Sequence, residues 1–134
     1  MIKDKKRVEV VAAIIKYNNK VLCVQRGVNK LDYISKKWEF PGGKIEEGET
    51  KEQTVVREIK EELNMNIIPE EEFLTVEHEY PDFFLTMHSF VSSCKDSTVH
   101  LSEHIDYKWL LCSEMPQLDW AAADLPIVNK LIES

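Results

Sequence analysis

Apolar and polar positions divide this chain into short runs whose period changes along its length. Residues 8 to 15, VEVVAAII, form an apolar run with β-branched members, and VLCVQR at 21 to 26 forms a second. Branched side chains pack well on a pleated surface, so both runs predict strands. Asn18-Asn19 is a turn signal between them, and the pair reads as a hairpin with a buried first strand. Residues 27 to 37 are polar and irregular. Trp38-Glu39-Phe40 then alternates briefly before Pro41-Gly42-Gly43, which is read as a break in regular structure.

The period becomes helical after Thr50, which with Gln53 forms a capping-box pattern. Val55, Val56, Ile59 and Leu63 recur at three- and four-residue steps, predicting a helix with one buried stripe that ends near Leu63, with Asn64 as a left-handed cap. Glu58, Glu61 and Glu62 fall on another face. After Pro69, residues 72 to 79 and 83 to 92 read as strands separated by a Pro81-Asp82 turn. IDYKWLLC at 105 to 112 gives a further strand, 113 to 116 a short turn or helix, and a last helix runs from Asp124 or Leu125 to about Ile132.

A length of 134 residues fits one domain spanning 1–134. No apolar run approaches the length of a membrane span, and the opening MIKDKKRVEV lacks the apolar core of a signal peptide, so a cytoplasmic protein without a membrane partner is expected. The net charge of -7 argues against a nucleic-acid polymer as partner, because capture of a phosphate backbone needs a basic face. A small anionic ligand stays open if a metal ion neutralises local carboxylates.

Cys23, Cys94 and Cys112 are dispersed and odd in number, which fits neither a disulfide framework nor a zinc site. Cys23 and Cys112 lie in apolar runs and read as core thiols. The histidines at 78, 88, 100 and 104 share no ligand spacing, so none is assigned to a metal, although His104 beside Glu103 could enter a site.

The candidate chemistry lies between residues 43 and 65. A glutamate-rich helix is commonly just a solvated face, and Arg57 with Glu61 is an ordinary helical pair. Adjacent Glu61 and Glu62, with Glu58 one turn earlier, nevertheless concentrate negative charge that is costly unless a cation screens it. The paired glycines ahead of the helix allow a backbone carbonyl to turn inward. Carbonyl and carboxylate oxygens are the ligands of hard cations, Mg²⁺ first and Mn²⁺ second. A water polarised by such an ion and relieved of its proton by a glutamate is a nucleophile for phosphorus.

Residues 43 to 65, GKIEEGETKEQTVVREIKEELNM, resemble the Nudix box, G-x5-E-x7-R-E-U-x-E-E-x-G-U with U aliphatic. Every charged position matches, and the one departure is Asn64 in place of glycine, a residue that tolerates the left-handed conformation. VVAAII, WEFPGGKIEEGE and the W-x10-W-x3-D-L-P pattern from Trp109 to Pro126 extend the resemblance to the MutT-like branch, particularly bacterial CTP pyrophosphohydrolases. It implies the Nudix fold, an α/β (α+β) arrangement with a mixed β-sheet sandwiched between α-helices.

Carried over residue by residue, the resemblance implies metal binding by Glu58, Glu62 and Glu61, by the Gly42 carbonyl and by Glu103 from a distant loop. Glu58 and Glu61 are the implied catalytic carboxylates, with Glu58 the first choice for the base. Gly43, Glu49 and Arg57 support the site, Arg57 by anchoring Glu49. Arg26 and Lys44 fall where similar enzymes contact phosphate, and Phe40 and Tyr80 where they line the base pocket. Trp38 and Trp120 read as core. Asp124 stands in the Ala-Asp-Leu-Pro pattern of the CTP-hydrolysing branch, where oxidised-guanine enzymes carry Asn. Its carboxylate can accept from the cytosine amino group, or from N1-H and the amino group of guanine; alternatively it caps the last helix.

The implied activity is Mg²⁺-dependent hydrolysis of a nucleoside triphosphate, CTP, dCTP or a modified dCTP, to monophosphate and pyrophosphate by a monomer or homodimer. Oxidised dGTP is the second choice. ADP-ribose or nucleotide-sugar hydrolysis, weakly indicated by Pro81, and a catalytically silent nucleotide-binding module complete the alternatives.

Overall fold

The computed structural model describes residues 5–134. Strands β1 (Lys6–Tyr17) and β2 (Lys20–Gln25) form the expected hairpin. Asn18 and Asn19 have φ of 50° and 64°, so both central turn residues are left-handed. That is the geometry whose twist matches the flanking strands, and Asn pays little for it. The remaining elements are β3 (Trp38–Glu39), β4 (Gly42–Lys44), α1 (Lys51–Leu63), β5 (Ile67–Glu79), β6 (Phe83–Cys94), β7 (Asp106–Leu110) and α2 (Leu125–Glu133), with 3₁₀ turns at Cys112–Gln117 and Ala122–Asp124.

The sheet is mixed, in the order β3-β2-β1-β6-β5, with β4 paired to β1 and β7 to β2. β1 and β6 run parallel along Lys6–Lys16, and the other pairs are antiparallel. Strand alternation splits β1 between two cores. Val11, Ala13 and Ile15 pack with Val55, Ile59 and Leu63 of α1, while Ala12 and Ile14 pack with Ile127, Val128 and Leu131 of α2. The sheet therefore lies between helices, as the resemblance implied. Among the described residues no helix is long and apolar enough to cross a membrane.

Several elements depart from the expected ones. β5 begins at Ile67 rather than residue 72 and runs through Pro69. It is an edge strand, and register shifts at Pro69/Glu71 and Glu72/Leu74 mark where a missing N–H and bulges are tolerated. Gly42–Lys44 is a strand rather than a break, because its backbone pairs with Val10–Ala12. β7 is shorter than 105–112, and Cys112 opens a 3₁₀ turn, half-buried rather than in the core. Cys23 is fully buried, and burial pushes its thiol up to about 12. Val56 is exposed, and Thr54 takes its place in the buried stripe of α1.

The ends of α1 use the expected local chemistry. Thr50 Oγ1 accepts from Gln53 N, and Gln53 Oε1 accepts from Thr50 N, completing a capping box. Asn64 closes the helix at φ 53°, ψ 38°, its N–H donating to the Lys60 carbonyl. Asn64→Gly should leave stability within about 1 kcal/mol of the parent, whereas the β-branched Asn64→Val should cost about 1–2 kcal/mol in urea unfolding.

Candidate active site

Arg57 organises the acidic end of the site. Its Nε and Nη2 donate to the two oxygens of Glu49 at 2.6 and 2.9 Å, a bidentate pair that ties the loop ahead of α1 to the helix. Nη1 donates to Glu58 at 3.0 Å and to Glu61 at 3.3 Å, and Nη2 also reaches the Lys44 carbonyl at 3.2 Å. The guanidinium holds the Glu49 carboxyl down to about 2, and its own pKa is raised in return.

Two glycines let β4 lie against its neighbours. A Cβ on Gly42 would stand 1.9 Å from the Val11 carbonyl oxygen, within the β1–β4 pairing. A Cβ on Gly43 would stand 2.3 Å from the Glu58 carboxylate. The second glycine thus makes the cradle in which Glu58 rests. Glu58 is 14% exposed, and burial raises its pKa while Arg57 opposes the shift.

Beside this cradle opens a cleft of about 690 Å³. Its acidic end is formed by Glu62, Glu39, Glu103, His104 and Arg26, next to Gly42, Gly43 and Lys44. Burial, then the charges of Glu58, Glu39 and Glu103, push Glu62 up to about 8. Glu62 Oε2 is buried without a hydrogen-bond partner. Glu39 accepts from His104 Nε2 at 3.0 Å and lies 3.5 Å from Arg26 Nη1. His104 is 7% exposed, and its Nδ1 is buried and unpartnered.

The far end of the same cleft is apolar and aromatic. Val8 and Val10 of β1 align with Leu85 and Met87 of β6 as its floor. Phe40, Tyr80 and Asp124 also line it. Phe40 stacks on Trp120 with centroids 4.9 Å apart, and Trp120 Nε1 donates to the Met115 carbonyl, so Trp120 serves packing. Tyr80 Oη accepts from Ala123 N at 3.0 Å. Asp124 is 4% exposed, and its Oδ2 accepts from Phe40 N at 3.0 Å across the chain. Burial and the Glu39 charge raise its pKa well above the usual carboxylate range. Its side chain makes no capping bond to α2, so the capping alternative has no support in the geometry.

Of the residues singled out from sequence, Arg26, Phe40, Gly42, Gly43, Lys44, Glu62, Tyr80, Glu103 and Asp124 line this one cleft. Glu58 lies beneath Gly43, and Glu49 and Arg57 lie behind it. Glu61 stands apart, 59% exposed and paired with Arg57. Trp38 is buried, its backbone joined to Trp120 by a parallel bridge. Glu39 was missed, although a charged residue alternating between two buried aromatics is itself a signal. Tyr33 was also missed. It stacks on Tyr80 at 5.2 Å and its hydroxyl donates to Asp82, strapping the loop of residues 27–37 across the aromatic end.

The acidic end suits a divalent cation. Its donors are hard oxygens, and the orphaned Glu62 oxygen lacks any compensating proton donor. Among the described residues no three His, Cys, Asp or Glu side chains form a ready-made cage.

The two glycines should separate fold from site. Gly42→Ala meets backbone and should cost about 2 kcal/mol or more in thermal unfolding, whereas Gly43→Ala displaces Glu58 and should lose activity out of proportion to stability. The Glu49–Arg57 pair sets an acid limb. With its pKa lowered from 4.5 to about 2, Glu49 contributes stability above 4.5 that is lost as pH falls through that window. Glu49→Gln should flatten stability against pH there in urea titrations.

A NUDIX domain model matches residues 5–131. The chain is 33% identical to the CTP pyrophosphohydrolase of Escherichia coli K12 over 92% of its own length and 90% of that protein. It is 31% identical to the 8-oxo-dGTP diphosphatase of the same organism, over 94% and 97% of the two chains. The solution structure of a MutT protein, a Nudix hydrolase from methicillin-resistant Staphylococcus aureus 252, superposes with a TM-score of 0.74 at 37% identity, covering 97% of this chain and 98% of that one. Arginine-tethered glutamates on α1, the glycine cradle and these similarities lead to one conclusion: the chain belongs to the Nudix family.

Proposed function

We propose that this protein hydrolyses nucleoside triphosphates to monophosphate and pyrophosphate, with CTP, dCTP or a modified dCTP as its preferred class and Mg²⁺ as its ion. The observation that carries this reading is the two-ended cleft, a half-buried acidic end for a cation and diphosphate and an aromatic end closed by Asp124 for a base. Phe40 N occupies Oδ2 of Asp124, leaving Oδ1 as the acceptor for an amino group of the ligand. Cytosine offers such a group on its pairing edge.

A bound divalent cation would supply charge neutralisation and polarise the attacking water. Glu58, held by Arg57 and Gly43, would accept the water's proton; Glu62, Glu103 and the Gly42 carbonyl would hold the ion, with Glu61 at the rim. Lys44 and Arg26 face the phosphates. Mn²⁺ fits the same oxygen set.

A second reading is favoured by the similarity to 8-oxo-dGTP diphosphatases. Oxidised guanine carries N–H donors that Asp124 can also receive, so chemistry at phosphorus is unchanged and only the base differs.

Pyrophosphate release from a panel of natural, methylated and oxidised triphosphates separates the two readings. Glu58→Gln should lower kcat by about 10²–10⁴-fold, and full activity in that variant removes the catalytic assignment. Asp124→Ala should change the ranking of bases while sparing metal affinity; a uniform loss across all bases would assign Asp124 to holding Phe40 instead.

A further inference from the structure

The loop of residues 95–105 carries Glu103 to the cleft from between β6 and β7, far in sequence from the α1 carboxylates. A long irregular loop has conformational freedom that works against a fixed ligand position. This loop is fastened where α1 ends. His100 N donates to the Leu63 carbonyl at 3.1 Å, and Ser102 Oγ donates to the Glu62 carbonyl at 3.0 Å. Last-turn carbonyls have no intrahelical partner, so the end of α1 is a ready dock.

The fastening continues past Glu103. His104 Nε2 bonds Glu39 at 3.0 Å, the imidazole's one hydrogen bond, and Ile105 N donates to the Gln25 carbonyl at 3.0 Å. A carboxylate oxygen only accepts, so Nε2 carries the proton. Glu103 is therefore flanked by two ties, one to the backbone of Glu62 and one to the side chain of Glu39. Both tied residues line the same end of the cleft as Glu103 itself.

We propose that Ser102 and His104 are positioning residues that clamp Glu103 against Glu62, presetting the spacing of two carboxylates drawn from separate elements. The proposal rests on the reading of Glu62 and Glu103 as cation-facing groups. Ser102 acts through the main chain of α1 and His104 through Glu39; neither needs to touch substrate. Neighbours that orient ligating carboxylates commonly change metal affinity by about 10–100-fold when removed.

The test is binding of Mn²⁺ alone to the nucleotide-free protein, followed by the resonance signal of the free ion, with kcat and KM measured beside it. Ser102→Ala and His104→Ala should each weaken Mn²⁺ binding about tenfold, while Ser102→Thr and His104→Gln, which keep a donor, should recover most of it. KM for nucleotide at saturating metal should move less than about twofold in Ser102→Ala, since that residue orders the ion's ligand and not the base. In the Glu103→Ala background, Ser102→Ala should weaken binding no further, because two changes acting on one contact do not add.

If Glu103→Ala weakens Mn²⁺ binding but the alanine variants at 102 and 104 bind as the parent does, the clamp is wrong and the carboxylate reading stands. If Ser102→Ala weakens binding equally with and without Glu103, its effect does not pass through Glu103 and the clamp is again overturned. If Glu103→Ala and Glu62→Gln both bind Mn²⁺ at parental affinity, the carboxylate reading itself fails and takes the clamp with it. His104→Gln guards against loss of folding in His104→Ala, where Glu39 would be left beside an empty space.

Discussion

The Arg57 guanidinium is the constraint on which the site depends. Its planar fork serves two oxygens of Glu49, one each of Glu58 and Glu61, and the Lys44 carbonyl. A lysine ammonium is a single point charge and cannot span the loop, the helix and a backbone oxygen together. With the loop held in this way, Gly43 rests against Glu58 and Gly42 lies in the β1–β4 pairing. Charge balance follows from the same contact: one cation offsets carboxylates that would otherwise repel along the helix face.

Strand parity explains why the cleft has two characters. Val8 and Val10 project to the same side of β1 as Ala12 and Ile14, and parallel pairing sets Leu85 and Met87 beside them. α2 covers the Ile14 end of that face; nearer the start of β1 the apolar surface is left as the floor of the cleft. β4, paired to Val10–Ala12, puts the glycine loop at the border. Apolar floor and carboxylate wall therefore meet over a few residues of β1, the separation needed for a ligand that is a flat base at one end and an anion at the other.

What could be read from sequence was mostly local. The Thr50–Gln53 capping box, the left-handed Asn64 and the Asn18-Asn19 turn each depend on residues within one turn of themselves, and the structure contains all three. The mixed sheet between helices was legible through family pattern, since nothing local announces that β1 and β6 run parallel. Long-range polar contacts were not legible. Glu39 meets His104, Phe40 N meets Asp124, and Tyr33 meets Asp82 across 65, 84 and 49 residues of chain respectively, and periodicity carries no information about such pairs. Pro69 misled for a physical reason: proline is a breaker in a central strand and is tolerated at an edge, and which strand is the edge is a property of the whole sheet.

The acidic end is costly to the protein by itself. Glu62 is half-buried with one carboxylate oxygen fully covered, and it faces the charges of Glu58, Glu39 and Glu103 while the Arg57 guanidinium is engaged mainly with Glu49. A carboxylate in that position either takes a proton or waits for a cation, and both choices lower the stability of the empty fold relative to a neutral isostere. A cation that binds the folded chain and not the unfolded one recovers this penalty in proportion to the logarithm of its concentration over Kd. Burial also covers one Glu62 oxygen, so its interaction with a bound ion would be stronger than at the surface. Destabilisation in the empty state and electrostatic strength in the loaded one thus have a single origin in the placement of Glu62 between α1, β3 and the Glu103 loop.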